Sequence, residues 1–227
     1  MNPQLRSRPL VFVDDLDHPT LDDKDYLHLS RSLRVRDGEA ITVSDGQGRW
    51  RLARLGPTAE IEGEVQANRG QTPTTAVGFV PVKGDRSEWV VQKLTEIGVD
   101  EILVLTSARA VVRWDKARAP KKLAKLKTVA KQACMQARRP NIPTVSGVHT
   151  IGEAVSAWPG AALADPAGAS QGPAPAVILI GPEGGFSPQE TRNAPTVVLP
   201  GHILRSETAA VVAAVMVQSA TSAIPGP

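Results

Sequence analysis

A single cysteine, Cys134, stands in 227 residues, which excludes an internal disulfide and any thiolate metal cluster. The four histidines are scattered without metal-ligand spacing, so no metal site is expected. No apolar run approaches the roughly 18 residues that span a bilayer, so no membrane partner is expected. The N-terminal stretch MNPQLRSRPLVFVDD turns acidic after a short apolar run and lacks a cleavage-site pattern, which argues against a signal peptide. These absences predict a cytoplasmic protein. No internal repeat is visible. The one glycine-rich turn, 181–185, lacks the Lys-Ser/Thr pair of a P-loop and is not spaced as G-x-G-x-x-G.

Charge is present but unevenly placed. The net charge is only +3, yet Arg109–Arg139 holds eleven Lys or Arg against one acid, Asp115. Met1–Thr72 holds ten Lys or Arg against twelve acids. A local excess of this size draws polyanions and raises their encounter rate, although a solvated helix face would show the same composition.

The first seventy residues read as short strands, LVFVDD, EAITVSDG, GRWRLARLG and AEIEGEVQA, with a helix at Lys24–Leu33 between the first two. Asp45-Gly46 predicts a hairpin, because both turn positions tolerate positive φ. Strands around one helix suggest a small barrel over 1–70. Arg69–Thr75 is polar and turn-rich and predicts a linker. Beyond it, over 74–227, strands and helices alternate: TTAVGFVPV, a helix at Ser87–Ile97 capped by Gly98, EILVLTS, a helix at Lys121–Arg138, then short strands at Ala161–Ala164, Val177–Ile180 and Thr196–Leu199. A final helix, Ser206–Ser219, is apolar on nearly every side and belongs in a core or a subunit interface. This order predicts an α/β domain with a mainly parallel sheet. The small-residue stretch 167–176 predicts a mobile loop.

Two strand ends carry polar loops. Val177–Ile180 runs into Gly181-Pro182-Glu183-Gly184-Gly185, after which Ser187 and Pro188 suit the N-cap and N1 positions of a helix. Ligands of parallel α/β sheets bind just beyond the carboxyl ends of strands, and glycines there let a ligand approach the backbone. A plain tight turn would look the same. Leu199 opens the second loop, which enters a helix through Ile203-Leu204-Arg205-Ser206-Glu207-Thr208. Arg205 and Glu207 suit either a pocket or a structural ion pair, and Ser206 suits an N-cap.

G-P-E-G-G-F-S followed by L-x-x-x-I-L-R-S-E-T-A resembles the ribosomal RNA small subunit methyltransferase E family, of the SPOUT class. H-L-S-R-S-L-R-V-R-D-G at 28–38, K-G-D-R-S-E-W-V-V-Q-K-L-T-E-I-G-V at 83–99, R-A-V-V-R-W-D at 109–115 and Q-A-R-R-P-N-I-P at 136–143 are similar to its further motifs, in the right order. The chain departs from the family pattern at Met135, Pro200 and His202, and its connection from Phe186 to Leu199 is short.

The resemblance implies a PUA-like RNA-binding β-barrel, a knotted methyltransferase domain with a trefoil knot, and usually a homodimer. It implies methylation of uridine N3 in 16S rRNA, alone or in the small ribosomal subunit, with S-adenosylmethionine as cofactor. The cofactor contacts it implies are Leu163 and Pro166 in one loop, Ile180, Gly181, Pro182, Glu183, Gly184 and Gly185 in a second, and Leu199, Gly201, Ile203, Leu204, Ser206, Thr208 and Ala209 in a third. Arg205 is the candidate to stabilise a uridine anion, and Glu207 to orient Arg205 or assist proton removal. Arg31, Arg34, Arg36, Arg86, Arg109, Arg113 and Arg139 are the candidate RNA contacts. A non-catalytic rRNA-binding assembly factor, or a nucleotide-binding enzyme with GPEGG as phosphate cradle, are the alternatives.

Overall fold

The computed structural model describes residues 3–56, 58–67, 74–115, 117–168, 174–192 and 194–222. Most of the expected linker and residues 169–173 of the small-residue loop lie outside the described residues. The chain forms two units, Met1–Gly70 with Lys131–Ile142 and Gln71–Ala130 with Pro143–Pro227.

The first unit holds α1 (Pro3–Ser7), β1 (Leu10–Phe12), α2 (Asp23–Leu27), β2 (Ala40–Ser44), β3 (Arg49–Arg54) and β4 (Glu60–Ala67). They form one sheet in the order β1-β2-β3-β4, with β1 and β2 parallel and the rest antiparallel. Alternate residues Ile41 and Val43 of β2 pack with Val11, Val13, Leu29 and Leu55. The β2–β3 hairpin forms at Asp45-Gly46 as expected. Asp45 does not take positive φ; its Oδ1 accepts the amides of Gln47 at 2.8 Å and Arg49 at 3.1 Å, and the left-handed positions are Gly46 and Gly48. The expected helix Lys24–Leu33 also divides. Asp22 caps α2, and His28–Ser32 then widens into a π-type turn, with the Ser30 hydroxyl donating back to the Tyr26 carbonyl at 2.8 Å. Arg34, at φ 56°, ends it.

Cys134 is buried among Leu5, Leu10, Phe12 and Trp50, and burial pushes its thiol up to about 12. Reactivity belongs to the thiolate. At pH 8 a thiol reagent should therefore label the native chain on the order of a thousandfold more slowly than the denatured chain. Equal rates in buffer and in denaturant would contradict this placement.

The second unit is a six-stranded sheet in the order β10-β8-β9-β5-β6-β7, every neighbour parallel. Its strands are β5 (Ala76–Phe79), β6 (Glu101–Thr106), β7 (Thr144–Thr150), β8 (Ala162–Ala164), β9 (Val177–Ile180) and β10 (Thr196–Val197). Its helices are α3 (Arg86–Ile97), α4 (Ala119–Ala137, which continues into the first unit), α5 (Ile151–Ala157), α6 (Pro188–Thr191) and α7 (Ser206–Ser222). One sheet face buries Val77, Phe79, Val104 and Ile178 under Val91 and Leu94 of α3 and Ala210, Ala213 and Ala214 of α7. The other buries Leu103, Leu105, Leu163 and Leu179 under Ile151 and Ala154 of α5. Gly78 sits in the middle strand because a Cβ there would lie 2.6 Å from Leu179 Cδ2 and 2.9 Å from Leu105 Cδ1. The alanines let α7 lie close to the sheet, while its Val215 is half exposed. Among the described residues no helix is long and apolar enough to cross a membrane. Because the strands are parallel, the carboxyl ends of β8, β9 and β10 share one edge of the sheet, where ligand sites form.

Candidate active site

Loops from those three strand ends converge on one cavity of about 670 Å³, within the roughly 300–1,000 Å³ usual for small-molecule sites. The β8 loop contributes Pro166, with Ala164 and Asp165. The β9 loop contributes Ile180, Gly181, Pro182, Glu183 and Gly185, with Phe186. The third contributes Leu199, Gly201, Ile203, Leu204, Arg205, Ser206 and Ala209, with Val198 and His202. The second and third loops are tied directly, since the Ser206 hydroxyl donates to the Gly181 carbonyl at 3.2 Å. A Cβ on Gly181 would meet the Phe186 ring at 3.1 Å, so the ring lies across the glycine.

Three of the residues drawn from the resemblance stand elsewhere. Leu163 is fully buried in the core under α5, Gly184 faces Arg109, and Thr208 is exposed on the first turn of α7. Ala164, Asp165 and His202 lie within the three loops that the resemblance implies, although they were not singled out; sequence reasoning missed Phe186 and Val198 as lining residues. Asp165 and Phe186 adjoin residues it did single out, so contiguity alone would have found them.

The glycine loop is held from outside. Arg109 Nη1 donates to the carbonyls of Gly184 at 3.0 Å and Phe186 at 3.1 Å. Ser187 caps α6 with Pro188 at N1, as expected, and Glu190 closes a capping box by accepting the Ser187 amide at 2.7 Å. The other Glu190 oxygen accepts the Ala108 amide at 3.0 Å. Burial works against the charge on Glu190, but the Ser187 and Ala108 amides outweigh it and hold the carboxyl below its ordinary value. The helix is only four residues long, in keeping with the short connection to Leu199.

The partner of Glu207 is Arg86, not Arg205. Arg86 Nη1 lies 3.2 Å from Glu207 Oε1, and Arg86 Nε donates to the Lys83 carbonyl at 3.2 Å. Glu207 Oε2 is buried and has no hydrogen-bond partner among the described residues. The Glu207 carboxyl is held below its ordinary value by its own backbone amide, against the effect of burial, and then by Arg86 and Arg205. Arg205 is exposed and has no ion-pair partner among the described residues.

The candidate RNA contacts are dispersed. Arg31, Arg34 and Arg36 are exposed in the first unit, where the partly buried Arg139 also lies. Arg113 is exposed in the second and donates to the Ala108 carbonyl at 2.9 Å. Among the described residues, no group of three or more His, Cys, Asp or Glu could hold a metal ion.

A family model described as RNA methyltransferase domain matches residues 70–218, and one described as RNA methyltransferase PUA domain matches residues 21–63. The ribosomal RNA small subunit methyltransferase E of Mycobacterium bovis is 32% identical over 237 residues, covering 90% of this chain and 88% of that protein. The Neisseria gonorrhoeae ribosomal RNA small subunit methyltransferase E, solved bound to S-adenosyl methionine, superposes with TM-score 0.79 and 30% identity, over 93% of this chain and 97% of that one. A Legionella pneumophila protein solved in complex with the bound cofactor SAM gives TM-score 0.80 and 26% identity, over 94% and 98% of the two chains. The N-terminal part of the chain is thus PUA-like, the remainder carries the α/β methyltransferase fold, and the likeness spans nearly all of both. The chain belongs to the ribosomal RNA small subunit methyltransferase E family.

Proposed function

We propose that this chain transfers a methyl group from S-adenosylmethionine to N3 of a uridine in the 16S rRNA of the small ribosomal subunit. The observation that carries the reading is the cavity closed by the three strand-end loops, with Arg205 in its wall. Ile180, Leu199, Leu204 and Ala209 offer apolar walls for a flat heterocycle, while Asp165 and Glu183 offer negative charge toward a cationic ligand. When bound, the cofactor supplies an electrophilic methyl group on sulfur.

The chain's own residues do the rest. The glycine loop and the Leu199–Ser206 loop fix the ligand, and orientation is the main contribution to an in-line displacement. Uridine N3 carries a proton and becomes nucleophilic as it leaves, so Arg205 stabilises the developing anion. Arg86 holds Glu207, which keeps negative charge beside Arg205. Arg109 braces the glycine loop, while Arg31, Arg34, Arg36, Arg113 and Arg139 contact RNA. A trefoil knot formed by the loops after β8, β9 and β10 belongs to the same proposal. So does a homodimer, supported by the exposed apolar side chains of Ile203 and Val215. The work takes place in the cytoplasm.

Calorimetry of the purified chain should show S-adenosylmethionine binding and none for ATP. Mass mapping of rRNA nucleosides should show N3-methyluridine gained with the protein present. RNA binding without cofactor uptake would assign an assembly factor instead, and ATP binding a phosphate cradle. Arg109→Ala removes two bonds to the loop and should weaken cofactor binding about tenfold. Unchanged affinity in the same calorimetry would show that the loop holds without it.

A further inference from the structure

A second cavity lies apart from the strand-end loops, in the same unit, with a volume of about 280 Å³. Five cations from three segments reach it: Lys83 after β5, Arg113 and Arg118 between β6 and α4, and Lys122 and Lys125 on α4. Among the described residues Glu88 is the only carboxylate in its wall, and it is bound by Lys125. Arg118 is paired with Asp115 at 3.5 Å, whereas Lys83 and Lys122 have no carboxylate partner among the described residues. The partly buried indole of Trp114 lines the same cleft, backed by Leu126. A solvated helix face explains cations along α4. It does not explain cations from three segments gathered around one indole.

We propose that this cleft docks a single-stranded stretch of the RNA, with phosphates on Lys83, Lys122 and Arg113 and one base against Trp114. Converging ammonium and guanidinium groups suit phosphates, and an aromatic face takes any unpaired base by stacking. A base inside a duplex is not available to such a face, so the cleft selects unpaired RNA. The cleft also touches the active site through the backbone. Lys83 lines the cleft, its carbonyl receives Arg86 Nε, and the same guanidinium holds Glu207. RNA seated on Lys83 thus bears on the segment that positions the buried carboxylate. The proposal rests on the reading of this chain as an RNA methyltransferase.

The test uses the full chain and a uridine-containing single-stranded oligoribonucleotide of about ten residues, titrated by fluorescence anisotropy at several salt concentrations. The Lys83→Ala/Lys122→Ala double variant should bind about tenfold more weakly at low salt. Its slope of log affinity against log salt should fall by about 1.4, that is, two phosphate contacts of about 0.7 each. Trp114→Ala should lose about tenfold, and Trp114→Phe should restore most of it. Calorimetric cofactor affinity should be the same in all variants. Unchanged RNA affinity and salt slope in the lysine variant overturn the cleft, even where wild type methylates rRNA. Free UTP binding as tightly as the oligonucleotide overturns it as well. Failure of the functional reading shows separately, as wild type that neither takes up cofactor nor methylates.

Discussion

Arg205→Ala should lower the rate of methyl transfer by about a hundredfold to a thousandfold while leaving cofactor affinity within about threefold. The argument is one of charge at one atom. Uridine N3 must become anionic as its proton leaves, and a cation near it offsets the developing charge. Arg205 lines the cavity, is exposed, and has no ion-pair partner among the described residues, so its charge remains available to the substrate. Arg205→Lys should recover part of the rate, since it keeps the charge and loses the planar fork. Single-turnover methylation at saturating cofactor separates the chemical step from binding. A variant as fast as wild type would remove Arg205 from the reaction.

The second large effect belongs to Arg86, which stands among the candidate RNA contacts given with the family resemblance. Arg86→Ala should reduce kcat/KM about a hundredfold and destabilise the fold by about 1 kcal/mol. The kinetic loss follows because Glu207 would lose the partner that fixes it, next to an oxygen that already lacks one. The stability loss is kept small because Arg86 is 39% exposed and water screens the pair. Its pH dependence has a definite sign. Glu207 has a lowered carboxyl pKa in the folded chain, so its contribution is fully present above the ordinary value of 4.5 and fades as pH falls through the folded value. Urea denaturation should show the difference between wild type and Arg86→Ala at pH 7 and a shrinking difference as pH is taken below 4.5 and through the folded value. A difference that persists at low pH would assign the loss to the packing of the Arg86 side chain. Arg86→Ala combined with Glu207→Gln should recover stability relative to Arg86→Ala, because the uncompensated charge is gone.

The strand ends that build the cavity were legible because their signals are local. A short β-branched or leucine-rich run followed by Gly and Pro marks where a buried strand gives way to a loop, and Ser187-Pro188 marks the next helix within two residues. The ties that hold these loops were not legible. Arg86 and Glu207 are separated by 121 positions, and Arg109 and Gly184 by 75. No periodicity connects residues so far apart, and an arginine in a basic segment reads as an RNA contact until the fold supplies a carboxylate or a carbonyl for it. The same limit applied in the first unit. Asp45-Gly46 located a turn, but not that the aspartate would accept two amides with its side chain while the second left-handed position fell on Gly48.

The silence of Cys134 has a practical consequence. Its thiol is the only one in the chain and is shut away beside Trp50. The protein is therefore its own blank background for site-directed chemistry. A cysteine introduced at exposed Lys122 or Arg31 would be the one thiol to accept a photo-crosslinker under native conditions. Each adduct would then report which nucleotide passes that point, and the path of the RNA could be traced without first removing a native residue.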